Sequence, residues 1–458
     1  MPVTLLPRKP RNARPVYCVS RDSLPNSGAD VAALAWAKAN GFAGEPGRVL
    51  LVPSADGAVA GAFLGLEPGS QGLGALATGA LARTLPAGDW YFATAPDRPA
   101  LAALGAVLGG YAFTRYGRKE GAAIRIACPP PADAGDVARI AEGVFLVRDL
   151  INTPTNDMGP EAIEAAVRAL AKRHKATVSV TKGDALLAKN FPMIHAVGRA
   201  SAEAPRLIDM RWGPRGAPKV TLVGKGVAFD TGGLDIKPAA GMLLMKKDMG
   251  GAANVLGLAH MVMAAGLKVS LRVLVPAVEN SISANAFRPG DVLRSRKGIT
   301  VEIGNTDAEG RLILADALAY ADEEAPDLVL DMATLTGAAR VALGPELPPF
   351  FTDDDALAAE LTAAAASEAD PLWRLPLWNG YDQKYASKIA DINNVNTDGF
   401  AGAIVAALFL RRFVGRAKSW AHFDVFGWSP VDRPHCPTGG EAQAIRAIDR
   451  VLRDRYGG

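Results

Sequence analysis

Cysteine is scarce in this chain. Cys18, Cys128 and Cys436 are its three cysteines in 458 residues, far apart and with no C-x-x-C pair. That excludes a disulfide-stapled scaffold and a thiolate zinc site, and it fits a reducing compartment such as the cytoplasm. Long apolar runs are missing too. None approaches the ~18 residues of a membrane-crossing helix, so no membrane partner is expected. Neither sign of charge dominates: 50 Lys and Arg against 47 Asp and Glu leave +3. So small a balance gives no support for nucleic acid as the partner. The five histidines, at 174, 195, 260, 422 and 435, are scattered and form no H-E-x-x-H, so each reads as structural. No G-x-S-x-G elbow occurs. The glycine-rich GKGVAF fails as a dinucleotide loop, because Phe229 stands where the third glycine is needed. It fails as a phosphate-cradling Walker loop as well, because Lys225 is followed by Gly226.

The chain is long enough for two or three domains with a large core. The first twenty residues carry Arg8, Lys9, Arg11 and Arg14 and no acid. Prolines flank that basic group and no apolar segment follows it, so it reads as a solvated tail and not a targeting peptide. Short strands are expected at 48–52, 90–94 and 123–128, and the proline-rich CPPPADAGD at 128–136 marks a boundary. Beyond it, helical spacing appears in VARIAEGVFLVRDLIN and PEAIEAAVRALAKRH. Apolar strands at 220–224, 270–278, 300–304 and 327–335 then alternate with helices at 250–266, 311–325 and 402–414. That alternation predicts an α/β fold. A smaller α/β N-terminal domain (1–130) is followed by a linker helix region (131–152). A larger α/β C-terminal domain (153–458) then carries a mixed, mostly parallel central sheet flanked by helices.

Charged residues gather where those strands end, which is where open α/β sheets bind ligands. VGKGVAFDTGGLDIKP holds Lys225, Asp230 and Lys237; MKKDMGGAAN holds Asp248; NTDAEGRL holds Asp307, Glu309 and Arg311. Taken singly, each has a plain reading: a glycine-rich turn with an ion pair, a helix cap at Asp248, a helix cap at Asp307. If NTDAEGRL is extended, Asp307, Glu309 and Arg311 all face one side. Together, four clustered carboxylates require cations, and two divalent metals fit them.

These three segments resemble the leucyl (cytosol) aminopeptidase family of two-metal enzymes, whose signature octapeptide NTDAEGRL is complete here. The resemblance runs from RDLINTPTND (148–157) to the C-terminus and includes NAFRPGDV, MATLTGA and WAHFDVFGW; before that it is carried mainly by LGGYAFTRYG. It implies a metallo-exopeptidase that hydrolyses the N-terminal residue from peptides, with 153–458 as the catalytic domain. Lys225, Asp230, Asp248, Asp307 and Glu309 are the implied metal ligands, for two divalent ions, zinc or manganese. Lys237 is implied as the catalytic cation that stabilises the oxyanion. Arg311 is implied to hold a bicarbonate ion that acts as general base. Met245, Asn305, Thr334, Leu335 and Gly337 are the implied substrate-binding positions. The family also implies a cytoplasmic homohexamer.

Two residues depart from the family pattern: Phe426 where a small residue is usual near the first specificity pocket, and Leu243 where an acid is common. Both leave the preferred first residue open, and Phe426 suggests a narrowed pocket. Two-metal phosphoester hydrolysis, which also uses clustered carboxylates, is the alternative chemistry. An added DNA-binding role, with Arg411, Arg412, Arg416 and Lys418 as its basic residues, is a third reading.

Overall fold

The computed structural model describes residues 3–117, 119, 121–396 and 398–457. The chain gathers into two compact units. The first comprises Met1–Phe145, Ala366–Asp370 and Ser429–Gly439; the second comprises the remainder.

The first unit is built on a six-stranded sheet in the order Val3–Leu6, Ile124–Ala127, Gly88–Phe92, Arg14–Val19, Val59–Gly65, Val49–Pro53. All neighbours are parallel except the last pair. The three strands expected from its apolar runs are present. The basic N-terminal stretch, however, is no solvated tail. Val3–Leu6 pairs with Ile124–Ala127, and Arg14–Val19 sits in the middle of the sheet with Val16 and Val19 buried. Two of its four cations lie over aromatic faces, a use that charge density alone does not reveal, while Arg8 and Arg11 are exposed. The Arg14 guanidinium lies 4.0 Å from the Trp90 ring centroid, and the Lys9 ammonium 3.3 Å from that of Tyr91.

The second unit contains a nine-stranded mixed sheet. Lys219–Gly224 lies between Leu328–Ala333 and Ser270–Asn280, parallel to both, and Trp420–Asp424 extends the parallel set beyond Leu328–Ala333. Gly226–Asp230 adds parallel to the end of Ser270–Asn280. Antiparallel strands Arg206–Trp212 and Thr177–Lys182 follow at one side, and Pro349–Phe351 pairs antiparallel at the other. The central strands are buried on both faces, which is why their sequences are continuous apolar runs and not alternating ones.

Helix Pro160–His174 opens with a proline, carries Glu161 in its first turn and ends on Lys172, Arg173 and His174, all in accord with the helix dipole. Helix Gly250–Ala264 is buried from Gly250 through Met263. It packs so close to the sheet that a Cβ on Gly251 would come 2.1 Å from Met332 O, and one on Gly224 would come 2.6 Å from Ala252 Cα. Glycine at these two positions is a condition for that helix to lie where it does. The closeness carries the preceding turn, Met245–Met249, over the ends of the parallel strands.

Candidate metal centre and substrate cavity

Four strand ends supply the site. Lys225 directly follows Lys219–Gly224, and its backbone N–H donates to Met332 O. Asp230 closes Gly226–Asp230, Thr334 follows Leu328–Ala333, and Asn280 closes Ser270–Asn280. The turn Met245–Met249 adds Asp248, and the loop before helix Gly310–Asp322 adds Asp307 and Glu309.

The side chains converge as alternating charges. Lys225 Nζ lies 2.9 Å from Asp248 Oδ2 and 2.9 Å from Glu309 Oε1, and it donates to Thr334 O at 3.0 Å. Lys237 Nζ lies 2.8 Å from Asp230 Oδ2 and also pairs with Asp307 Oδ1. Asp230 Oδ1 accepts from Gly232 N (2.9 Å) and from Asn280 Nδ2 (2.8 Å), and Asp248 Oδ1 accepts from Thr334 Oγ1 (2.8 Å). Each of Asp230, Asp307 and Glu309 offers an oxygen, and the three oxygens lie within 4.8 Å of one another.

The electrostatics are unbalanced. Four carboxylates face two ammonium groups, which leaves two negative charges over. Burial, reinforced by Asp230, pushes the Glu309 carboxyl up to about 8 and the Asp307 carboxyl up to about 6. Asp248 is raised as well, again mainly by burial. Burial opposes charge on Lys225, but Asp248 and Glu309 outweigh it and hold the ammonium above its ordinary range. Asp248 Oδ2, Asp307 Oδ1 and Glu309 Oε1 are buried and are met by these two ammonium groups alone among the described residues, without well-directed hydrogen bonds. Two ammonium groups do not neutralise four buried carboxylates, so the cluster has room for further cations. The donor set is oxygen with one amine, which suits zinc, manganese or magnesium. The residues therefore fit a divalent-metal centre.

NTDAEGRL is not extended, as the alternation argument required. It is a turn that runs into helix Gly310–Asp322, with Glu309 at the cap position and no side-chain cap bond. Asp307 and Glu309 still meet at the centre, but Arg311 is already the second residue of the helix. It is buried, its Nη1 donates to Asn394 O at 2.6 Å, and its Nε has no hydrogen-bond partner. The capping readings also give way: helix Gly250–Ala264 starts without a side-chain cap, because Asp248 is engaged by Lys225 and Thr334.

A cavity of about 390 Å³ opens beside the centre, and Lys225, Asp230, Lys237, Asp248 and Asp307 contribute to its wall. Met245, Thr334, Leu335 and Gly337 line it as well. Asn305 and Arg311 are not among its lining residues. Asn305 instead shapes the loop, its Oδ1 accepting from Asp307 N at 2.7 Å and its carbonyl from Asn394 Nδ2 at 2.7 Å. Phe426 lines the cavity; Leu243 does not, and it is exposed.

Sequence reasoning missed several members. Asn280 holds both Asp230 Oδ1 and Thr306 O; an asparagine just beyond the apolar run 270–278 was the available signal. Asp424 accepts from Leu335 N, Thr336 N and Thr336 Oγ1 at 3.0, 3.1 and 2.6 Å, which fixes the loop at the cavity wall. Lys247 and Arg340 also line the cavity. Lys247 stands next to Asp248 in MKKDMGG, and burial pushes its ammonium down to about 8. Of the histidines, His174 meets His260, His195 meets Asp184, and His422 pairs with buried Asp331. None is in the carboxylate cluster.

Known proteins match this arrangement along most of the chain. The model of the cytosol aminopeptidase family catalytic domain matches residues 145–448, and that of the M17 aminopeptidase N-terminal domain matches residues 15–129. A probable cytosol aminopeptidase of Leifsonia xyli is 40% identical over 450 residues, covering 91% of this chain and 90% of its own. A crystal structure of cytosol aminopeptidase from Coxiella burnetii is 45% identical with a TM-score of 0.93, over 99% of both chains. The bottromycin maturation enzyme BotP in complex with Mn is 35% identical with a TM-score of 0.88, over 97% of this chain and 99% of that one. The chain belongs to the cytosol aminopeptidase (M17) family.

Proposed function

We propose that the Lys225–Asp230–Asp248–Asp307–Glu309 cluster holds two divalent metal ions, zinc or manganese, with which the chain removes N-terminal residues from peptides. By family the chain is a metallo-aminopeptidase, a hydrolase. The observation that carries the reading is the set of buried carboxylate oxygens faced by too few cations. When bound, the two ions would acidify a water molecule and polarise the scissile carbonyl.

The chain's own residues set up that chemistry. Asp230, Asp307 and Glu309, whose oxygens cluster within 4.8 Å of one another, would hold the ions together with Lys225 and Asp248. Lys237 remains cationic, because Asp230 and Asp307 hold it above its ordinary range against the effect of burial. With metal bound to Asp230 and Asp307, its ammonium would supply a hydrogen-bond donor to the oxyanion. Arg311 has an unused Nε and is assigned the bicarbonate that accepts the proton. Met245, Thr334, Leu335 and Gly337 seat the first residue of the substrate, and Asp424 keeps their loop in place.

Family membership disfavours phosphoester hydrolysis. Three of the four basic residues of the DNA-binding reading are already paired with acids. Arg411 pairs with Asp353, Arg412 with Asp382 and Lys418 with Asp327. We further place the chain in the cytoplasm as a homohexamer. The names of its relatives support the location, and light scattering tests the assembly. No helix among the described residues is long and apolar enough to cross a membrane.

The test is hydrolysis of aminoacyl p-nitroanilides by metal-stripped protein, before and after addition of zinc or manganese, with Glu309→Ala alongside. Cleavage restored by metal in the parent and absent from the variant is the expected result. No cleavage with any metal by a folded parent protein would overturn the reading.

A further inference from the structure

The cavity wall beside the carboxylate centre also carries two cations, Lys247 and Arg340, and among the described residues no acid forms an ion pair with either. Lys247 lies in the turn Met245–Met249 and is buried, with its ammonium 4.9 Å from the Phe426 ring centroid. Arg340 comes from helix Gly337–Leu343, and its guanidinium carbon lies 5.0 Å from the same centroid. The ring is held in place through its backbone, since Phe426 N donates to Gln443 Oε1 at 2.8 Å. All three residues line the cavity that contains the carboxylate centre.

The nearby acids are already committed. Asp248 is engaged by Lys225 and Thr334 Oγ1, and Asp424 by Leu335 N, Thr336 N and Thr336 Oγ1. Among the described residues, neither Lys247 nor Arg340 makes a salt bridge or a side-chain hydrogen bond. The electron-rich face of the Phe426 ring attracts each of them only weakly. A buried ammonium without an anion is costly, and an incoming carboxylate removes that cost.

We infer that Lys247 and Arg340, set around Phe426, make this cavity select substrates whose first residue is acidic, glutamate or aspartate. The inference rests on the aminopeptidase reading and adds the charge of the preferred side chain. The substrate's ammonium goes to the carboxylate centre and its side-chain carboxylate to the cationic wall. Lysine and arginine at the first position are repelled by the same wall.

The experiment is a kcat/KM comparison on metal-loaded protein with the p-nitroanilides of glutamate, glutamine, aspartate, asparagine, leucine and lysine. Glutamine matches glutamate in shape and lacks its charge. The expected result is that glutamate exceeds glutamine by about tenfold or more, as for one charge-assisted hydrogen bond, with lysine slowest. Arg340→Glu should collapse that ratio and raise the rate on lysine. Because Lys247 adjoins Asp248, Lys247→Met is the second variant and is read by the same ratio. Leucine cleaved while glutamine equals or exceeds glutamate overturns the charge preference and leaves the aminopeptidase intact. A ratio unchanged in both variants overturns the assignment to this wall. Failure to cleave any member of the panel overturns the aminopeptidase reading, and this inference with it.

Discussion

Replacing Gly310 with alanine should separate the stability of this protein from its ability to hold metal. Gly310 is the first residue of helix Gly310–Asp322, and it is not among the residues of positive φ. Alanine there is conformationally acceptable and is favoured over glycine in a helix by up to about 1 kcal/mol. The added Cβ, however, would lie 2.6 Å from both Cε and Nζ of Lys225. An unstrained contact is ~3.5–4.0 Å, so the amine must move by about 1 Å. It now sits 2.9 Å from Asp248 Oδ2, 2.9 Å from Glu309 Oε1 and 3.0 Å from Thr334 O. A shift of that size breaks at least one of these contacts. The lost contact costs ~1–3 kcal/mol, which the gain in helix propensity partly offsets. Urea denaturation of the metal-stripped variant should therefore stay within about 2 kcal/mol of the parent. Manganese or zinc affinity, measured by isothermal titration calorimetry, should fall about 10- to 100-fold, as it does when a metal ligand is disoriented. A folded variant whose affinity lies within about twofold of the parent would show that the Lys225 amine does not hold the metal.

Other perturbations have equally definite outcomes. Glu309 and Asp307, held up to about 8 and 6, must lose protons for metal to bind, so affinity should climb steadily from pH 6 to pH 8. A flat profile by calorimetry would refute this. The same raised carboxyls cost the metal-free protein stability once the pH passes their unfolded values of ~4, and the loss continues up to about pH 8. Urea midpoints of metal-free protein should fall over that window and recover when metal is added. Phe426→Ala enlarges the cavity and should raise activity on bulky N-terminal residues; an unchanged substrate ranking would count against the narrowed pocket. Asp331→Ala removes the partner of His422 Nδ1 (2.6 Å) and Trp420 Nε1 (2.7 Å) in the fully buried interior. It should cost ~3–5 kcal/mol in urea denaturation, and a loss below about 1 kcal/mol would show that the pair contributes little.

The sequence by itself determined the class of the fold and the identity of the acids. Continuous apolar strands such as Lys219–Gly224 and Leu328–Ala333 are a local consequence of burial on both faces, so they could be read directly. Charged residues placed just after such strands mark the ligand side in the sequence alone. Alternation within NTDAEGRL misled, because a side chain's direction depends on backbone conformation, and that segment turns into a helix. The basic N-terminus misled for a related reason: whether Arg14 is solvated or stacked depends on Trp90, seventy-six residues away. Only the tertiary structure brought the Lys225 amine 2.9 Å from both Asp248 and Glu309 and set Lys247 and Arg340 around one ring. Those neighbours come from strands and turns far apart in the chain. Their spacing follows from close contact between helix Gly250–Ala264 and the sheet, a relation that no local pattern encodes.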